Sequence, residues 1–168
     1  MSVFLQPIYT QTASGSASGI TFNNIPQTFT DLLVVVSARS TYAVVGQGCG
    51  FSFYNSGGFI STSGTKIEGN GSSAYSQRYG TVTIPGSSAT ANTFGSISCY
   101  LPNYTGSNYK QAVIDGVSEN NGSESYTDIT AQLIPSTTAI TAINFSTFNN
   151  NLAQYSTVSL YGVLRQGI

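Results

Sequence analysis

Apolar residues recur at every second position along most of this chain. Val82 and Ile84 alternate with Thr81 and Thr83, and Ile97, Cys99 and Leu101 alternate with Ser96, Ser98 and Tyr100. Ile129, Ala131 and Leu133 alternate with Asp128, Thr130 and Gln132, and Val158 and Leu160 with Thr157, Ser159 and Tyr161. Side chains of a strand point alternately to its two faces. Each set therefore predicts a strand with its apolar residues on a core and Thr, Ser or Tyr on the other face. Leu32-Leu33-Val34-Val35-Val36 is continuous, which predicts a central strand buried on both faces.

Turn residues separate these runs. Asn55-Ser56-Gly57-Gly58, Gly69-Asn70-Gly71, Pro85-Gly86 and Asn120-Asn121-Gly122 supply positive φ or a fixed proline φ where the chain must reverse. Strands are expected over residues 5–12, 19–23, 31–39, 48–54, 64–69, 77–84, 94–101, 110–118, 125–134, 139–147 and 155–164. No window carries a helical stripe, and at most one turn of helix is expected near Pro135 to Thr138. The expected fold is all-β: a two-sheet antiparallel β-sandwich, jelly-roll-like. Residues 1–168 read as a single domain, with residues 1–18 an N-terminal arm or a first strand plus loop.

Composition narrows the partners. Hydrophobic residues make up 40% of the 168, enough for a core, while charged residues make up 7%, against about a quarter in an average globular domain. The five basic residues, Arg39, Lys66, Arg78, Lys110 and Arg165, are scattered, so no stripe for nucleic acid exists. Net charge is -1. A near-neutral, sparsely charged surface suits a protein covered by neighbours, and a homo-oligomer is expected. Cys49 and Cys99 are too few for a disulfide scaffold and read as buried small apolar residues, with pairing left open. The N-terminus lacks a basic region followed by a long apolar run, so it reads as a chain made in a cytoplasm without a cleaved export signal. No apolar run is long enough to insert in a membrane.

Candidate chemistry is sparse. There is no histidine, which removes the usual general base and the commonest metal ligand. No enzyme activity, metal or cofactor is expected. Of six carboxylates, Asp115, Glu119, Glu124 and Asp128 fall close together. A catalytic pair or a calcium loop is the functional alternative, but the spacing fits no calcium-loop pattern, and they read as a polar hairpin loop at Glu119 to Glu124, with Asp115 and Asp128 on exposed strand faces. Tyrosine is more suggestive, with eleven Tyr and no Trp. Tyr75, Tyr79, Tyr104 and Tyr109 lie beside Ser- and Gly-rich loops and are candidates for surface recognition, by stacking on sugar rings or on a neighbouring subunit. The apolar N-terminal residues Val3, Phe4, Leu5, Ile8 and Tyr9 are candidates for a partner contact, the plain alternative being a first strand of the sandwich.

Several phrases spread over residues 20 to 162 resemble small virion proteins of tailed bacteriophages, common among aquatic and cyanobacterial phages. They are ITFNNIPQTFTDL at residues 20–32, PGSSATANTFG at residues 85–95, Leu101-Pro102-Asn103-Tyr104 with Tyr109-Lys110, Ser118-Glu119-Asn120-Asn121, and Gln154-Tyr155-Ser156-Thr157 through Tyr161-Gly162. The resemblance implies a β-sandwich virion module with no catalytic motif to carry over. It implies location on the virion and a partner in the major capsid protein or another virion protein. A trimer follows only by analogy with phage surface proteins. Two roles are expected: a capsid decoration or cement protein, or a tail fibre module that binds a host surface glycan. The strand pattern starts close to Met1, which favours the decoration protein.

Overall fold

The computed structural model describes residues 3–122 and 124–165. Among these residues the chain forms only strands, joined by turns and loops. In order they are β1 (Val3–Thr12), β2 (Gly19–Phe22), β3 (Asp31–Ala38), β4 (Gly46–Asn55), β5 (Gly58–Phe59), β6 (Ser63–Gly69), β7 (Ala74–Gln77), β8 (Thr81–Pro85), β9 (Gly95–Pro102), β10 (Lys110–Asn120), β11 (Glu124–Ile134), β12 (Ala142–Thr147) and β13 (Thr157–Arg165). The run expected over 77–84 is two strands, because residues 78–80 carry the chain from one sheet to the other: β7 pairs with β6 and β8 with β4. The expected helical turn after Pro135 is absent.

All described pairings are antiparallel. One sheet has eight strands in the order β1-β13-β3-β9-β10-β11-β6-β7; the other has the order β2-β12-β4-β5, with β8 on the same side of β4 as β5, along the start of β4. The core lies between the sheets. Leu32, Val34, Val36, Ile97, Cys99, Leu101, Ile114, Val158 and Leu160 come from the large sheet, and Ile20, Cys49, Phe51, Phe53, Val82, Ile84, Ile143 and Phe145 from the small one. Phe51 and Phe145 meet with ring centroids 5.1 Å apart. β3 is central, between β13 and β9, but its run is not buried on both faces: Val35 is exposed on the outer side. Among the described residues the large sheet has no layer over that face.

The loop before β9 is fastened from two sides. Arg39 is buried, and its guanidinium donates to Ala89 O at 3.0 Å, Thr90 O at 2.7 Å and Thr93 O at 3.0 Å. Glu119 accepts from Thr90 N, Thr90 Oγ1, Thr93 Oγ1 and Gly122 N. Burial works against the Glu119 charge, but these donors outweigh it and hold its carboxyl below the usual range. Gly86 opens this loop because a Cβ there would lie 2.1 Å from Val44 O. Cys49 and Cys99 are free, fully buried thiols whose pKa burial pushes up.

Candidate functional site

Polarity inverts part-way across the large sheet. One cross-strand row on the inner face runs Leu160, Val34, Cys99, Ile114, Thr130, Lys66. The neighbouring row on the outer face runs Ser159, Val35, Ser98, Asp115, Ile129, Ile67. The first four inner residues are apolar and the last two are polar, yet all are buried. The expected orientation of β11 is therefore corrected. Asp128 (1% exposed), Thr130 (0%) and Gln132 (4%) face inward, while Ile129 (54%), Ala131 and Leu133 (37%) face out.

The reason lies in what the inner face meets. Beyond β10 the sheet no longer covers the apolar face of the small sheet. It covers β8, an edge strand with unpaired backbone groups that need partners. β11 supplies them from side chains: the Asp128 carboxylate accepts from Thr83 N, and Thr130 Oγ1 donates to Thr81 O at 2.8 Å. Register then places every alternate residue of β11 outside.

Asp128 sits directly opposite Glu68 on β6, a repulsive cross-strand pair on its own. Lys66 resolves it. Its Nζ lies 2.9 Å from Asp128 Oδ1, pairs with Glu68 Oε2, and donates to Thr83 Oγ1 at 3.2 Å. The Tyr75 hydroxyl donates to Glu68 Oε1, which pushes the phenol up to about 12. Burial raises the Asp128 carboxyl above the ordinary aspartate range against the pull of Lys66. Burial also acts upward on Glu68, but the bonds from Lys66 and Tyr75 outweigh it and hold that carboxyl low. Each carboxylate is thus engaged within the chain. Lys66 and Glu68 form the Lys-x-Glu signal that could have marked this cluster, since two residues apart on a strand share a face.

On the opposite side of these strands lies an apolar surface. Ile67 (58% exposed), Val113 (52%), Val117 (52%) and Ile129 share it with Ala131 and Leu133. A groove of about 750 Å³ opens along its border, lined by Arg78, Tyr79, Gln111, Val113, Ala131 and Leu133 among others. Arg78 and Asp115 are the exposed charged side chains among the described residues.

A second cleft, of about 570 Å³, opens on the inner side of β6 and β7. Its walls include Tyr75, Tyr79, Tyr126 and Phe148, and its floor Lys66 and Glu68. Gly48 leaves room for Phe148, whose ring a Cβ there would meet at 3.1 Å. Tyr75 and Tyr79 are thus brought together. Tyr109 is exposed elsewhere, beside a shallow depression near Phe59 and Pro135. Tyr104 is corrected: it is fully buried, with its hydroxyl on Pro26 O and its ring in the core, and presents no surface.

The N-terminal candidates form β1, an edge strand paired to β13. Phe4 and Leu5 are exposed, Ile8 packs partly on the core, and Tyr9 stacks on Phe22 at 5.6 Å between centroids. Val3 opens this strand; its side chain, like that of Glu124, lies outside the described residues. Asp115 is exposed as expected and accepts from Ser98 Oγ at 2.5 Å, whereas Asp128 is buried, contrary to the expectation for both. Among the described residues no cluster of three ligand-type side chains is arranged to hold a metal, and no helix is long and apolar enough to cross a membrane. Comparison with known families, curated proteins and solved structures finds no match.

Proposed function

We propose that this chain is a non-enzymatic structural protein of a tailed-phage virion, most directly a capsid decoration or cement protein that docks on the shell as a homo-oligomer. The observation that carries the reading is the apolar outer face of β6, β10 and β11. Such a face costs nothing inside an assembly and is a liability on a free monomer. Three further features support it. Exposed charge is scarce, as in interface cores. The phrases that resemble those of phage virion proteins span residues 20 to 162. The chain also crosses repeatedly between its sheets, at β1/β2, β2/β3, β3/β4, β5/β6, β7/β8, β8/β9, β11/β12 and β12/β13, which supports a jelly-roll-like closure. Engagement of Glu68 and Asp128 by Lys66, Tyr75 and Thr83 favours a structural over a catalytic role for these carboxylates. Imaging of the intact particle tests the reading. Density for this chain over joints between major capsid subunits is expected; density confined to the tail would overturn it.

A second reading, a tail fibre module that binds host glycan, is favoured by the cleft of Tyr75, Tyr79, Tyr126 and Phe148. Exposed aromatic faces beside hydrogen-bonding groups suit a sugar ring. Binding of host surface polysaccharide that is lost in Tyr79→Ala would select this reading.

A further inference from the structure

We propose that the cleft between β7 and the glycine face of β4 binds a neutral, hydroxyl-rich sugar ring and rejects acidic sugars. The inference rests on the glycan reading of this cleft and adds the class of sugar and the residues that select it.

Two elements shape the cleft. On β4, Cys49 and Phe51 face the core, so alternation sets Gly46, Gly48 and Gly50 on the other side. β8 pairs alongside, with Thr83 opposite Gly48 and Thr81 opposite Gly50, so both threonines share that side. No β4 side chain fills this space, and rings from elsewhere enter it. Phe148 lies across two of the glycines: the Cβ position of Gly48 is 3.1 Å from its ring and that of Gly50 3.8 Å. The Cβ position of Gly46 is 3.2 Å from the Tyr126 ring. On the other wall, β7 pairs with β6 so that Tyr75 stands opposite Glu68 and Gln77 opposite Lys66, and Tyr79 follows just past the strand end.

The groups left over for a ligand are all neutral. Lys66 is spent on Glu68, Asp128 and Thr83, and Glu68 on Lys66 and Tyr75. Arg78 lines the other groove and not this cleft. The Gln77 amide and the hydroxyls of Tyr79, Thr81 and Tyr126 make no hydrogen bond among the described residues. Tyr75, Tyr79 and Phe148 are exposed, and none of the four rings stacks on another ring among those residues. The cleft, of about 570 Å³, has the size of a small-ligand site, roughly 300–1,000 Å³. A pyranose fits this chemistry. Its C–H face is apolar and suits the negative face of an aromatic ring, and its hydroxyls donate and accept. A carboxylate or sulfate on the sugar would instead meet two carboxylates whose ammonium is already taken, and would lose water without gaining a partner.

A glycan array of neutral, amino and acidic oligosaccharides, probed with the full chain, tests this, followed by titration calorimetry on the strongest probe. Neutral probes are expected to bind, with a dissociation constant of about 1 mM or tighter. Tyr79→Ala and Phe148→Ala should each weaken binding about tenfold or more, whereas Tyr79→Phe keeps the ring and should stay within about threefold. Gln77→Lys adds an unpaired cation and should admit acidic probes that the wild type rejects. All three positions are exposed, and circular dichroism with an unfolding midpoint checks each fold. A response confined to acidic or to amino sugars overturns the proposal. So does binding that survives both ring truncations, or a Gln77→Lys chain that still rejects acidic probes. These outcomes leave the host-glycan reading standing; an array with no bound probe removes both. Neutral-sugar binding lost in Tyr79→Ala, on particles whose adsorption to host cells that change leaves intact, removes the host-glycan reading and keeps the site.

Discussion

In β13, β3 and β9, Leu160, Val34 and Cys99 face the small sheet while Ser159, Val35 and Ser98 face out. Two strands further on, in β11 and β6, Thr130 and Lys66 take the inner places and Ile129 and Ile67 the outer ones. Both regions belong to one sheet and both alternate strictly. They differ in what lies underneath. The first covers apolar side chains of the small sheet, and burying apolar surface stabilises it. The second covers the backbone edge of β8, and there an inward apolar residue would strand Thr83 N and Thr81 O. Alternation states that a strand has two unlike faces; the neighbour decides which face is inside.

Sharp tests of this contrast pair one substitution in each region. The largest effect is expected at Asp128→Ala, which frees Thr83 N and removes one of the two anions around Lys66; breaking a buried pair costs about 3–5 kcal/mol. Asp115→Ala, the same change on the outer face, should alter the stability of the monomer by no more than about 0.5 kcal/mol. Denaturant titration at low protein concentration measures both. Next comes Leu160→Ala, at about 2–5 kcal/mol for a truncation in the core. Ile129→Ala on the outer face should stay within about 0.5 kcal/mol. Equal losses at Leu160 and Ile129 would erase the distinction between the regions. Thr130→Val keeps shape but takes the donor from Thr81 O, and should cost about 1–3 kcal/mol. A neutral result would mean that β8 does not need side-chain partners.

The smallest effect is one of pH. The Glu119 carboxyl is held below its ordinary 4.5 in the folded chain. A depressed carboxyl contributes stability above the unfolded value, and this is lost as pH falls through the folded value. The gap in unfolding midpoint between wild type and Glu119→Gln should therefore be full at neutral pH and close on acidification below about 4.5. Unfolding curves at several pH values read it; a gap that widens with acid contradicts the fastening of the 86–94 loop.

Much of the fold was legible for a simple reason. Strands such as β9 and β13 are framed by turn residues and carry apolar residues on one face only, so period and place agreed. Val35 departs from the expectation because a continuous apolar run does not say that one of its faces lacks a cover. The faces of β11 are inverted against the expectation because Asp128 and Thr130 look like solvent residues until the edge of β8 is set beneath them. That contact joins residues 45 and 49 apart in sequence, and no local signal announces it. Gly and Ser around Tyr104 suggest a surface residue, whereas its hydroxyl needs only Pro26 O to be buried at no loss. Lys66 and Glu68 do not stand out locally because a Lys-x-Glu pair gains meaning only opposite Asp128.

The most direct test of the outer face as a contact rather than a folding surface is the concentration dependence of the denaturant midpoint. It should be measured for the wild type and for the combined Ile67→Thr, Val113→Thr and Ile129→Thr variant; threonine retains strand preference at all three sites. The wild-type midpoint should rise with protein concentration, because association stabilises the folded state by mass action. The variant should show a flat midpoint equal to the dilute wild-type value within about 1 kcal/mol. A flat wild-type midpoint, with the variant several kcal/mol less stable at every concentration, would show that these side chains hold the fold and would contradict their role as a contact.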